Sequence, residues 1–435
     1  MNRRDDVDLR IADLLHELAP ARTPDYLDEL RDSVTRGRQR PGWSFASRWL
    51  PIDPTPFQLA GVRRVAVLGL TILVLAALVV GAYVGSQRRL PPPFGAAANG
   101  LIAFDDGSRI LLSDGRGGPP QAWAGAAHGT RPAFSPDGTK LAFLREHVGG
   151  TALDVADVGG AQSRTILEPD PAVRARILPE LPVWAPDSGY LAISVLVGDA
   201  PSDHAEIWIV DTETGRRSTL LPSGLLGAAG PAWSPDGSRI AFLGEPDGSA
   251  TNYLYVARID GSGLLRISNR KSSSTTGYFQ QPRWAPDGRH IAVHHGEPGT
   301  TGRDILVLAT DDLEETAIVA TPRDEAQPAW SPDGTRLAFW RSTDERDFQI
   351  VVVDVASRRE TPLDLRSPLA DILSWSPDGA SIVAVRCATE ASCDLLLVDA
   401  TNPARAPAVL AIGIPPASLD LSGDRAYWSW QRLAP

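Results

Sequence analysis

The sequence predicts an all-β chain, a seven-bladed β-propeller over residues 100–435, preceded by one transmembrane helix and a small α-helical segment. Three observations carry this reading: a hairpin motif that recurs six times, an apolar strand ending in aspartate that recurs seven times, and one long charge-free stretch ahead of both. The hairpin reads PAFSPDGTKLAFL at 132–144, PVWAPDSGYLAIS at 182–194 and PAWSPDGSRIAFLG at 231–244. It returns as PRWAPDGRHIAVH at 282–294, PAWSPDGTRLAFW at 328–340 and LSWSPDGASIVAV at 373–385. The turn prolines, Pro136, Pro186, Pro235, Pro286, Pro332 and Pro377, are separated by 50, 49, 51, 46 and 45 residues. Four short strands with their turns need that length, the unit of a propeller blade.

Each unit has its own local logic. A short strand such as Ala-Trp-Ser runs into Ser-Pro-Asp-Gly, which spells a type I turn. Proline presets φ at the second position, and glycine supplies the positive φ that follows. The turn residues are Pro136, Asp137 and Gly138; Pro186 and Asp187; Pro235, Asp236 and Gly237; Pro286, Asp287 and Gly288; Pro332, Asp333 and Gly334; and Pro377, Asp378 and Gly379, with Ser188 replacing glycine in the second copy. A second strand of alternating apolar residues, such as Ile240 and Phe242, returns beside the first. The turn aspartates are expected to bond their own backbone rather than a metal, since one carboxylate per blade around a wide ring does not converge on an ion.

The second repeat supplies a third strand: ILLSD (110–114), LDVAD (153–157), IWIVD (207–211), LYVARID (254–260), ILVLATD (305–311), IVVVD (350–354) and LLLVD (395–399). Seven of these against six hairpins implies a worn seventh copy, assigned to SLDLSGDRAYWSW at 418–430 with Gly423 where the proline should be. The last strand then completes a blade begun at LIAF (101–104), closing the ring and removing its open edges. Both LIAF and AYWSW read as a second strand, so six or eight blades stay open as alternatives.

Ahead of the repeats, residues 1–61 carry two helical patterns. Val7, Ile11, Leu14, Leu15 and Leu18 recur at helical spacing, and TPDYLDELRDSV follows with Thr23 as N-cap and Pro24 at the first helical position. His16 is expected on a solvated face. Residues 36–49, RGRQRPGWSFASRW, interleave Arg36, Arg38, Arg40 and Arg48 with Trp43, Phe45 and Trp49. Just before a span, such a run fits lipid headgroups better than nucleic acid. From Val65 to Gln87 no charge occurs, and 23 residues at ~1.5 Å each cross a bilayer core. The apolar core is too long, and begins too late, for a cleaved leader. Arginines before the span outnumber Arg88 and Arg89 after it, so the expected orientation is N-terminus cytoplasmic, propeller outside a bacterial cell membrane. Gly81 and Gly85 form a small-xxx-small pair, a weak hint of helix pairing. The expected domains are therefore 1–61, cytoplasmic; 62–87, membrane; 88–99, linker; and 100–435, propeller. The formal charge of −11 argues against a nucleic-acid partner.

The repeated Trp/Phe-Ser/Ala-Pro-Asp-Gly motif resembles the WD-type repeat of TolB-like propellers, over about three-quarters of the chain. That resemblance implies protein binding at the faces of the ring. Related propellers accompany the hydrolase domain of prolyl-oligopeptidase-like peptidases, but the sequence holds no G-x-S-x-G nucleophile elbow. Fold alone does not give function.

The turn aromatics, Phe134, Trp184, Trp233, Trp284, Trp330 and Trp375, are expected to pack between blades, since every blade repeats them. His290 and His294 share a strand face but stand about 13 Å apart, and His295 points away, so no shared metal is expected. Cys387 and Cys393 flank one hairpin end and are expected to form a disulfide outside the cell, with free thiols as the alternative. No cofactor and no catalytic set is expected. The reading is a membrane-anchored extracytoplasmic binding module for a protein, peptide or glycan. A layout similar to transmembrane anti-sigma regulators gives residues 1–61 a cytoplasmic protein partner. The rival reading is a propeller hydrolase or lyase with its site in the central pocket.

Overall fold

The computed structural model describes residues 95–433, with breaks in the loops, the longest at 274–281 and 415–427. The chain divides after Gln87 into two units, and everything described belongs to the second. The predicted N-terminal helices, the 36–49 run and the 65–87 span lie outside the described residues. Within those residues, no helix is long and apolar enough to cross a membrane.

Among the described residues, thirty strands form seven antiparallel sheets. Blade 1 is the sheet of β4 (Gly129–Phe134), β5 (Lys140–His147), β6 (Gly150–Asp157) and β7 (Ser163–Leu167), paired in that order. Blades 2 to 6 follow over 175–220, 227–273, 283–319, 325–367 and 374–414. In blade 2 the innermost strand is split into two short pieces that both pair β10 (Tyr190–Val197). Strands that open a sheet are mostly buried, as in β13 (Gly227–Trp233), whereas those that end one are exposed, as in β12 (Arg217–Leu220). This gradient sets the first strand at the hub and the fourth at the rim.

The seventh blade resolves the count and corrects the sequence reading. Its order is β3 (Gln121–Ala122), β2 (Ile110–Ser113), β1 (Ala98–Asp105), β30 (Trp428–Leu433). Thus Trp428–Leu433 completes the blade begun at 101–104, as expected, but as its innermost strand rather than a second strand; Gly423 lies outside the described residues. Trp430 lies opposite Ile102 just as Trp233 lies opposite Ile240. Inner and second strands come from opposite ends of the chain, so no turn motif joins them.

The core also departs from the expected alternation. Leu141, Ala142, Phe143 and Leu144 are all buried, because a blade has a neighbour on each side. Alternate residues feed different cores: Ala142 and Leu144 join blade 2, and Leu141 and Phe143 join blade 7. Seven separate apolar clusters result, one at each blade–blade interface. Such sheets read as continuous apolar runs, since neither face meets water.

Candidate functional site

The six turns line one face of the ring around the hub. In each, the residue after Asp donates its N–H to the carbonyl three positions back, as Gly237 to Ser234 (2.9 Å) and Ser188 to Ala185 (2.9 Å). Their φ values are positive, +71° at Gly237 and +60° at Ser188, as the turn reading required. Successive turns nest: a Cβ on Gly237 would touch Pro186 at 3.5 Å, and one on Gly334 would touch Pro286 at 3.4 Å. The turn tryptophans lock neighbouring blades through polar bonds as well as packing. Each indole Nε1 donates to the preceding inner strand: Trp184 to Ala133 (2.8 Å), Trp233 to Val183 (3.1 Å), Trp284 to Ala232 (3.0 Å), Trp330 to Arg283 (3.0 Å) and Trp375 to Ala329 (3.0 Å).

The turn aspartates bond locally. Asp137, Asp236, Asp333 and Asp378 each accept the hydroxyl of the serine before the proline, at 2.5–2.6 Å. Burial opposes ionisation of Asp236, yet the Ser234 and Ser238 bonds and the Arg239 charge hold it below the usual carboxylate range. Blades 2 and 4 have Ala185 and Ala285 in place of that serine. Asp287 compensates by bonding His290 Nδ1 at 2.6 Å. Among the described residues, the Asp187 carboxylate has one bond, from the Gly189 N–H at 2.8 Å, and it is exposed.

Beside Asp187 a pocket of 570 Å³ opens on the turn face between blades 2 and 3. Pro186, Tyr190 and Ile209 line it from blade 2, and Trp233, Pro235 and Ile259 from blade 3. Tyr190 is 41% exposed and Ile259 47%, so two large apolar groups face solvent at its mouth. An apolar-walled cleft with a few polar groups is the usual form of a binding site.

Between the blades lies a buried polar belt that the sequence reading missed. In blades 1, 3 and 5 the inner strand bulges at a residue with positive φ: Arg131 (55°), Gly230 (67°) and Gln327 (58°). Each bulge N–H is taken by a buried side chain of the preceding blade, Asp105 Oδ2 (3.0 Å), Ser194 Oγ (3.0 Å) or His294 Nδ1 (3.3 Å). Aligned repeats hold the signal, since all three residues stand three positions after the apolar residue opposite the inner-strand tryptophan, Ile102, Leu191 or Ile291. Burial pushes Asp105 up to about 6, against the N–H bonds from Arg131 and Gly107. Burial also holds His294 down to about 3, helped by the charges of Arg303, His295 and Arg283. His294 is thus a neutral acceptor inside an interface, while His290 pairs with Asp287 on the turn face. Nearby Glu325, fully buried, accepts from Thr321 (2.5 Å) and Arg341 (2.9 Å), and Arg341 forks onto Glu360 at 2.6 and 2.8 Å. Among the described residues, no three His, Cys, Asp or Glu side chains gather as a metal-ligand set.

In blade 6 the ladder sets Cys387 directly opposite Cys393, and Cys393 is buried and disulfide-bonded. The first described residues cross the turn face: the Ala97 N–H bonds Pro377 (2.8 Å), and the Asn99 side chain exchanges two bonds with Asp378 (2.8 and 3.1 Å).

A family model described as the TolB beta propeller domain matches residues 151–409. The chain is 25% identical over 202 residues to a Bacillus subtilis protein named uncharacterized peptidase YuxL, covering 38% of this chain and 30% of that one. It is 32% identical over 89 residues to the Tol-Pal system protein TolB of Alcanivorax borkumensis, covering 20% and 19%. The chain therefore matches less than a third of the length of these relatives. Among solved structures it superposes on a Mycobacterium tuberculosis puromycin-hydrolyzing peptidase with a TM-score of 0.53 at 17% identity, over 74% of this chain and 57% of that one. An oligogalacturonate lyase in complex with manganese gives 0.52 at 16%, over 71% and 91%. Likeness at those identities is one of fold.

Proposed function

This chain belongs to the TolB beta-propeller family, and on that footing we propose that it is a membrane-anchored binding module that captures a protein or peptide on the turn face of its ring. The groove between blades 2 and 3 carries this reading: apolar walls, an exposed tyrosine, and an exposed carboxylate with a single bond. In this proposal residues 65–87 anchor the chain, the propeller stands outside the bacterial membrane, and residues 1–61 remain inside, available to a cytoplasmic partner. The arginine excess before the span supports that orientation. A Cys387–Cys393 bridge suits the same compartment.

Two measurements on the full chain in cells test this. A photo-crosslinking residue at Tyr190 is expected to yield a discrete protein adduct, and one at Arg366, on an outer strand of blade 5, is not. A membrane-impermeant thiol reagent is expected to label a cysteine placed in the propeller and to spare one placed at 36–49. The reverse labelling pattern would overturn the orientation.

An enzymatic reading draws on the fold shared with the peptidase and the lyase. Purified full chain that turned over peptides or oligogalacturonate, with loss on altering hub-facing residues, would replace binding by catalysis.

A further inference from the structure

In blades 3 and 5 the second residue after the turn glycine fills the groove toward the next blade. In blade 3 it is Arg239, whose guanidinium lies 5.0 Å from the Trp284 ring centre and donates to the Gly288 carbonyl at 2.9 Å. In blade 5 it is Arg336, 4.6 Å from the Trp375 ring centre and 2.9 Å from the Gly379 carbonyl. Two grooves are thus filled by the same group in the same way: a planar cation beside the tryptophan of the next blade, bonded to the glycine carbonyl of its turn. At the seam between blades 7 and 1 the Gln431 amide makes the corresponding bond, to the Gly138 carbonyl at 2.7 Å.

Blade 2 has Tyr190 at this position, where blades 1, 4 and 6 have Lys140, His290 and Ser381, and its groove opens into the 570 Å³ pocket. The frame around it is otherwise that of the filled grooves. Trp233 makes the same indole bond to the preceding blade, and the Gly237 turn has the same φ of +71° that Gly379 has. Among the described residues, no side chain donates to the Gly237 carbonyl. Asp187, which lacks the serine that Asp137, Asp236, Asp333 and Asp378 bond, faces the same space. The pocket therefore keeps the acceptors of a guanidinium site without the guanidinium.

We infer that the groove between blades 2 and 3 binds an arginine side chain of a partner protein, its guanidinium pairing with Asp187, donating to the Gly237 carbonyl and lying against Tyr190 and the edge of Trp233. This deepens the binding reading and rests on it. Arginine fits better than lysine because its flat fork can bond two acceptors while stacking on an aromatic wall. The apolar walls formed by Ile209 and Ile259 suit its methylene stem and the residue beside it.

The peptide Ac-Ala-Arg-Ala-NH2, titrated calorimetrically into the full chain, tests this against the same peptide carrying citrulline, which keeps the shape and loses the charge. The arginine peptide is expected to bind at least about tenfold more tightly. Asp187→Asn, at an exposed position, is expected to weaken it about tenfold. Tyr190→Arg supplies the missing group from within, as blades 3 and 5 do, and is expected to melt no lower than the native chain while losing the peptide. Equal affinity for arginine and citrulline, no binding of either, or undiminished binding by Tyr190→Arg overturns the assignment. Should the Tyr190 crosslink still capture a protein in that event, the binding module stands and only the arginine is lost. Should the peptide bind where no adduct forms, the groove stands and the protein partner falls.

Discussion

Ser429 accepts the backbone N–H of Phe134 at 2.9 Å, joining residues 295 positions apart and zipping the last strand of the chain to blade 1. Gln431 extends the seam, donating to the Gly138 carbonyl and accepting the Leu101 N–H at 3.1 Å. Gln431→Ala is expected to lower stability by about 1–3 kcal/mol, because two part-buried backbone groups lose their partner. Urea denaturation of the full chain measures it, and an unchanged midpoint would place the closure elsewhere.

The turn glycines are not equivalent, although all need positive φ. A Cβ on Gly138 would lie 2.1 Å from the Arg432 carbonyl oxygen, which is rigid backbone, whereas one on Gly237 would lie 3.5 Å from the Pro186 ring. Gly237→Ala is expected to cost about 1 kcal/mol from φ alone. Gly138→Ala is expected to cost markedly more and to loosen the seam. Comparable melting temperatures for the two variants would contradict this.

Two buried groups of the polar belt give opposite pH slopes. Asp105, raised to about 6, favours its protonated form in the fold, so its contribution is present below the unfolded carboxylate value near 4 and is lost as pH rises through 6. The native state binds more protons in that window, and stability falls with pH. His294, held at about 3, is neutral in the fold, so its contribution is present above the ordinary imidazole value near 6.5 and is lost as pH drops toward 3. Melting curves between pH 3 and 7 are expected to show Asp105→Asn removing a loss on the alkaline side. His294→Asn, which keeps an acceptor for Gln327, is expected to remove one on the acid side.

Cys387 and Cys393 enclose a short loop, so a bridge between them is worth only about 2 kcal/mol by chain entropy. The double serine variant is expected to fold and to melt lower by a few degrees. A melting point unmoved by reductant would show that the pair carries no stability.

The turns and their order were legible because six copies state the same requirement: a preset φ, an accepting carboxylate and a left-handed residue. Ring closure by the last strand on the blade begun at 101–104 was legible as well, but its place as the inner strand was not, because Trp428–Leu433 has its partner strand some 330 residues away and no turn between them. His294 was placed on the correct strand, but its role depends on a bulge in the next blade that spacing within one repeat does not reveal. Nothing within its own repeat distinguishes Tyr190; the contacts of Arg239 and Arg336 with the next blade lie between repeats, where spacing along the chain carries no signal.

Both ends of the described chain open on one side of the ring: Ala97 is pinned to Pro377 of a turn, and Leu433 pairs with Ala98 beside it. The molecule thus has a front and a back, with the blade 2–3 cleft at the front. A label attached at Leu433 would therefore stand on the cleft's side of the ring, and one on the loop between Asp105 and Ile110 would not.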